Sequence, residues 1–392
     1  ADHLRVGKLL VVGQLSIAMV LLVGATLFIG TLVNLYRVDR GVRTNGVLIF
    51  SVRSSERYSQ KRVWAIQTAV LDRLRALPGV VSASAAQVVP LSGGEWTRDV
   101  QVDGYNFRTG DNDRVGFDVI APDYFATIGT ALVSGREFDA RDTDAGPKVA
   151  IVNESFARYF FGGRSPLGHR VTSVKVVYEI VGVVKDAKYQ DLRADLIKTM
   201  YIPIMQREGD QPSNCKFLVR VAAGNPMRLS PTLDRLVREA DTGLRLRTSQ
   251  TYSDLVDRSI VTERMMATLG GLFGVLALML ASLGTFGVMA FQTSRRIKEI
   301  GIRMALGASR ATIVMRIMRE VAAMLLIGCL TGSAAALTLT GLARKMLFGL
   351  TATQPGVFAL AMLTLAITAF TAGWLPALRA SRIDPLIALR DD

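Results

Sequence analysis

Four long stretches of the chain carry no charged side chain: Leu9 to Tyr36 (28 positions), Met265 to Ser294 (30), Val321 to Ala343 (23) and Met346 to Leu378 (33). Each exceeds the ~20 apolar residues that a helix needs to cross ~30 Å of hydrocarbon. The first follows Arg5 and Lys8 in the manner of a signal peptide. Its apolar run is longer than the usual ~7–15 residues of such a leader, so it reads as an uncleaved anchor. The last run is longer than one span requires. Its helix is expected to begin near Pro355, where proline suits a first helical turn, and to end at Pro376 and Arg379.

Between the spans the pattern changes. Val47, Ile49 and Val52 alternate as in a strand, and after Ser59-Gln60 the apolar residues Val63, Ile66, Val70, Leu74 and Leu77 recur at helical spacing. Pro78-Gly79 is expected to stop that helix, and Val80 to Val89 returns as a strand. The pattern repeats late in the region. Met200 to Pro203 and Phe217 to Val221 read as strands, Ser230-Pro231 caps and starts a helix with Leu233, Leu236, Val237 and Ala240 inward, Gly243 closes it, and Leu244 to Thr248 is a last strand. Two such halves predict a split βαβ sheet of the ferredoxin-like kind. The segment from about 92 to 198 between them has strand signals of its own at Val100–Val102, Val115–Val119, Val149–Val152 and Glu179–Val184. A short helix over Asn153–Phe160, ended by Gly162-Gly163, belongs to it, and it reads as an inserted subdomain. The fold class is therefore an α+β membrane protein: four transmembrane helices with a large α/β domain outside the membrane. Its divisions are 1–36, 37–264 and 265–392. A helix capped at Ser253 is expected to run unbroken to about Phe291, roughly 58 Å at 1.5 Å per residue, as a stalk that carries motion.

Charge supplies the orientation. Arg295, Arg296, Lys298, Arg303, Arg310, Arg316 and Arg319 face only Glu299 and Glu320 between the second and third runs, whereas Arg344 and Lys345 stand alone between the third and fourth. The positive-inside rule then puts the former loop and both termini in the cytoplasm, with Arg37 to Arg264 outside. The chain has 47 Lys+Arg against 33 Asp+Glu, a net charge of +14, but the outer region holds 33 basic and 27 acidic residues and so only +6 of it. The remainder flanks the membrane, so the basic balance reports topology and does not point to nucleic acid. Two cysteines, Cys215 outside and Cys329 inside a span, cannot pair, and two histidines are too few for a His/Cys metal centre.

Several stretches resemble those of the MacB/FtsX-like permeases of ABC transporters. They are TyrPheAlaThrIleGly at 124–129, GlyArgGluPhe at 135–138, ValAlaIleValAsnGluSerPheAlaArgTyrPhe at 149–160 and ProLeuGly at 166–168. To these are added ArgArgIleLysGluIleGlyIleArgMetAlaLeuGlyAlaSer at 295–309 and the closing ProAlaLeuArgAlaSerArgIleAspProLeuIleAlaLeuArg at 376–390. The resemblance covers nearly the whole chain and implies a non-enzymatic permease subunit of the bacterial inner membrane. It implies a separate ABC ATPase as partner, a second permease chain or repeat in a dimer-like arrangement, surrounding lipid, and no cofactor of its own. Its outer domain would be a porter-like body with an inserted subdomain, moved by ATP binding in the mode called mechanotransmission, for export or envelope substrate handling. The chain is also similar to one half of the duplicated orphan permeases of this group, which leaves open that it is a fragment. It holds no GxxxxGK[ST] phosphate loop.

The candidate coupling loop is Ile297, Glu299, Ile300, Gly301, Arg303, Met304, Gly307 and Ser309. Ile297, Ile300 and Met304 lie at helical spacing, Glu299 and Arg303 can pair at i, i+4, Gly307 ends the turn and Ser309 caps the next span. Gly270 and Gly274 form a GxxxG pair for close helix packing. The acidic run Asp139, Asp142, Asp144 lacks the glycine and terminal Glu of a calcium loop, and neither Ser155 nor Ser165 has a His/Asp companion for hydrolysis. The rival reading is a membrane sensor whose outer domain binds a ligand and relays a signal without an ATPase.

Overall fold

The computed structural model describes residues 2–54, 58–94, 96–107, 112–207, 215–306, 309–342, 347–350 and 353–381. The chain divides into two compact units: Ala1–Arg37 with Val261–Asp392, and Val38–Ile260. The first unit opens with helix α1, Asp2–Arg37.

The second unit begins with β1 (Val47–Ser54), α2 (Gln60–Arg75) and β2 (Val80–Ala86). It continues with β3 (Thr97–Asp99), β4 (Gln101–Val102), β5 (Arg114–Ile120), α3 (Tyr124–Ile128) and β6 (Leu132–Gly135). Then come β7 (Val149–Asn153), α4 (Glu154–Phe161), β8 (Arg170–Ser173), β9 (Val176–Val184) and β10 (Thr199–Pro203). It closes with β11 (Lys216–Val221), α5 (Ser230–Ala240), β12 (Leu244–Thr251) and α6 (Tyr252–Ser259). Among the described residues the strands form one twelve-stranded sheet in the order β12-β1-β11-β2-β5-β10-β7-β9-β8-β4, with β3 on β5 and β6 on β9.

At one end β1-α2-β2 and β11-α5-β12 interleave as β12-β1-β11-β2, every neighbour antiparallel. That is the expected ferredoxin-like arrangement, and Val70, Leu74, Leu233 and Val237 are buried beneath its two helices. One expectation is corrected: Met200–Pro203 is not part of the second half. As β10 it lies between β5, to which it is parallel, and β7, deep in the other end of the sheet. The elements α3, β3, β6 and β8 carry too few residues for periodicity to announce them. The cap of α5 is also shifted. Asn225 opens a 3-10 turn at Pro226–Leu229, so Ser230 is already inside the helix. The α5 helix ends at Asp241, whose carboxylate accepts from the Gly243 N–H.

The ValAsnGluSerPhe stretch has a structural task. Asn153 is buried, its Oδ1 accepts from Phe156 N (3.0 Å) and Thr199 N (2.8 Å), and its Nδ2 donates to Ile197 O (2.7 Å). One side chain thus caps α4 and ties β7 to the start of β10. Asn153→Ala leaves the N–H groups of Phe156 and Thr199 without their acceptor and is expected to cost about 1–3 kcal/mol. Urea unfolding of the full-length protein, followed by labelling of the buried Cys215 thiol, checks this.

The first unit resumes with α7 (Val261–Arg295), α8 (Ile297–Ala305), α9 (Arg310–Leu342) and α10 (Pro355–Ser381). Helices α1, α7, α9 and α10 are each long and apolar enough to cross a membrane. Val11, Leu15, Ala18, Met19, Leu22 and Val23 of α1 form the centre of their shared core, with Ala277, Val321, Cys329 and Leu365 around them. Two boundary expectations fail. α10 runs through Pro376 to Ser381, as proline is tolerated in membrane helices whose freed carbonyls find other partners. The stalk is not one helix. Thr251, not Ser253, caps α6 with a capping box to Asp254, and at Ile260 the backbone leaves helical values (φ −117°, ψ 16°) before α7 begins. The β-branched run Ile260-Val261-Thr262 disfavours helix there, and Ser259 Oγ donates back to Val256 O.

Candidate functional site

Helix α8 is the predicted amphipathic element. Its nine residues include Ile297, Glu299, Ile300, Gly301, Arg303 and Met304. Ile297, Ile300 and Met304 are half-buried, and the exposed Glu299 and Arg303 pair at 2.6 Å across one turn. The helix closes at Leu306, and Gly307 lies outside the described residues. Ser309 starts the next helix as expected, its Oγ and carbonyl oxygen accepting from Thr312 N at 3.3 and 3.0 Å.

A charged cluster that spacing alone does not reveal anchors α8. Glu320, on α9, accepts from Lys8 Nζ of α1 at 2.7 Å on one oxygen and from Arg296 Nη1 at 2.8 Å on the other. Three separate helical segments thus converge on one carboxylate, and the turn that launches α8 is fixed to the bundle. The predicted loop residues also omit the outward apolar face: Ile302 is 48% exposed and Leu306 83%. An amphipathic pattern marks the inward side, while isolated outward apolar residues look like noise until exposure is known.

Gly270 and Gly274 lie where α7 meets α1 within the same chain. A Cβ on Gly270 would stand 3.3 Å from Ala25 Cα, and one on Gly274 would stand 3.5 Å from Leu22 and Ala25. The tighter seam joins α1 to α9 at a second GxxxG, Gly328 and Gly332, supported by a 2.7 Å hydrogen bond between the hydroxyls of Ser16 and Thr331.

In the outer unit the acidic run is consumed by cations. Asp142 takes both Nη atoms of Arg136 at 2.7 and 2.8 Å, Asp139 takes Arg141, and Asp144 takes Lys148. Ser155 Oγ donates to Asp186 at 2.8 Å, a helix-start contact without a base, and His169 packs against Phe161 on the surface. The buried polar centre is Asp118 on β5. Its Oδ1 accepts from Val88 N (3.0 Å) and Val119 N (2.8 Å), Oδ2 faces Tyr189 OH at 3.5 Å, and Tyr189 donates to Tyr201 at 3.1 Å. Complete burial pushes the Asp118 carboxyl up to about 8 despite those hydrogen bonds.

Four apolar helices, an amphipathic helix tied to their polar end and a large α/β unit give the architecture of a multi-pass membrane protein. The sequence matches the MacB-like periplasmic core domain over residues 10–228 and the FtsX-like permease C-terminal domain over 271–385. The chain belongs to the MacB/FtsX-like permease family. It is similar to the pyoverdine export ATP-binding/permease protein PvdT of Pseudomonas aeruginosa, 24% identical over 77% of this chain and 45% of that protein. It is also similar to the macrolide export ATP-binding/permease protein MacB 1/2 of Paracoccus denitrificans, 27% identical over 89% of this chain and 51% of that protein. The chain thus spans about half the length of these curated relatives. Among solved structures, the periplasmic region of MacB from Actinobacillus actinomycetemcomitans matches 56% of this chain and 94% of its own, with 17% identity and a TM-score of 0.38.

Proposed function

We propose that the chain is the permease subunit of an ABC-type exporter in the bacterial inner membrane, with both termini and α8 in the cytoplasm. A separate ATPase seats on α8 and drives the outer unit by mechanotransmission, and a second permease chain or repeat completes the assembly. In this reading residues 37–264 handle an exported or envelope substrate and 265–392 form the permease core. The observation that carries it is the outward side of α8, where Ile302 and Leu306 stand exposed beside the Glu299–Arg303 pair on a helix fixed by Glu320. An exposed apolar pair on a rigidly held helix is what a groove-forming partner buries. The basic excess between α7 and α9 supports the cytoplasmic assignment.

The test is capture of an ABC-type ATPase from the source cell extract by the full chain in lipid nanodiscs. Leu306→Glu, which puts a charge where burial is required, is expected to weaken capture tenfold or more. The double variant Glu299→Lys with Arg303→Glu is expected to weaken it as well. Folded protein that captures no ATPase would reject the coupling reading and favour the sensor.

A further inference from the structure

Behind α8, a cavity of about 50 Å³ opens between the end of α7, α8 and the start of α9. Its wall carries three guanidinium groups, Arg296, Arg303 and Arg316, against two carboxylates, Glu299 and Glu320. Both carboxylates are engaged, Glu299 by Arg303 and Glu320 by Arg296 and Lys8. The wall therefore has a cationic excess, with guanidinium N–H groups to spare, because each guanidinium has five donors and a carboxylate occupies at most two. The side chain of Gln292 also lines the cavity. It is 4% exposed, and its Nε2 has no hydrogen-bond partner. A buried amide donor without an acceptor is costly, and cations around it make the missing acceptor an anion.

We propose that this cavity binds a phosphoryl group, carried by an anionic phospholipid of the adjoining leaflet. The proposal rests on the reading of the α8 face as the inner membrane surface, where basic pockets between membrane helices meet acidic headgroups. The volume admits a phosphoryl group of a few atoms. Phe291, half-exposed beneath the Arg295 guanidinium at 4.9 Å, adds apolar surface at the same end of α7, suited to the lipid's chains. A lipid held there would sit against the inner side of α8, so leaflet composition would set how firmly the docking helix is supported.

The test is native mass spectrometry of the full-length chain in detergent, titrated separately with phosphatidylglycerol, phosphatidylcholine and inorganic phosphate. One phosphatidylglycerol per chain is expected to be retained at least tenfold better than phosphatidylcholine. Arg316→Gln, an exposed position whose change leaves the fold intact, is expected to reduce that retention at least twofold. Adding Gln292→Leu is expected to bring the loss to fivefold or more. Retention of inorganic phosphate without preferential retention of phosphatidylglycerol would keep the phosphoryl site and overturn the lipid as its source. Equal retention of the two lipids, or phosphatidylglycerol retention unchanged in Arg316→Gln, overturns the proposal. No ATPase and no membrane sidedness enters the measurement, so its failure is distinct from failure of the docking reading.

Discussion

Between pH 5 and pH 9 the outer unit is expected to lose about 4 kcal/mol of stability, and Asp118→Asn is expected to abolish most of that loss. The carboxyl of Asp118 titrates at about 8 in the fold against an ordinary value of 3.8, because burial in the sheet penalises its charged form. A folded pKa above the unfolded one means that the folded state holds the proton more tightly. The stabilisation is therefore complete below about 4, declines by roughly 1.4 kcal/mol per pH unit between the two values, and is gone above about 8. Asparagine keeps an oxygen for Val88 N and Val119 N and offers an N–H towards Tyr189, so geometry survives while titration does not. The neighbouring tyrosines 124, 189 and 201 titrate above their ordinary value, again through burial, and so stay neutral over this range. Lys216, pushed down by its own burial and partly restored by Asp118, is a nearby cation in that balance. Urea titration of the full chain at each pH, read by labelling of Cys215 and corrected for thiol ionisation, measures the effect. A flat pH profile in the wild type would show that Asp118 is ionised throughout.

Why this residue was invisible in the sequence is instructive. Asp118 interrupts the apolar run ValGlyPheAspValIle, and an interrupted run reads as a strand with one face to water. Long-range structure buries it: β10 pairs with β5 so that Tyr201 stands opposite Asp118, and Tyr189 closes over the carboxyl. Local signals fared better. The four spans, α2, α4 with its Asn153 cap, and α8 with its Glu299–Arg303 pair all follow from spacing of a few residues. Nothing in the periodicity marks the break at Ile260. Three β-branched residues in succession were the available signal, and it is a weak one. The Lys8–Glu320–Arg296 cluster spans 312 residues in sequence, so no local reading could assemble it.

The same limit explains which glycine pair matters most, and the second large effect follows from it. Both pairs have the same GxxxG spacing in the sequence, yet a Cβ on Gly270 or Gly274 would meet α1 at 3.3 Å or more, a contact that small shifts relieve. Gly328 and Gly332 have no such slack. A Cβ on Gly328 would lie 2.7 Å from Leu15 Cβ, and one on Gly332 would lie 2.6 Å from Met19 Cβ and 2.7 Å from the Ser16 carbonyl oxygen. Those neighbours are atoms at or next to the α1 backbone, so relief requires the helices to part. Parting also breaks the Ser16–Thr331 hydrogen bond and opens the core around Leu15 and Met19. Gly328→Val with Gly332→Val is therefore expected to cost about 4 kcal/mol, two overpacked positions at ~1–3 kcal/mol each. Gly271→Ala and Gly287→Ala, where a Cβ meets nothing within 4 Å, are expected to change stability little. Cys329, next to Gly328 on α9, is buried in the core that the helices share, so its labelling by a membrane-permeant thiol reagent in nanodiscs reports loosening of that core. The labelling rate should rise by roughly three orders of magnitude in the double variant, at about tenfold per 1.4 kcal/mol, and stay near the wild-type rate in the two controls. Equal rates in all four proteins would mean that α1 and α9 are not held at this spacing.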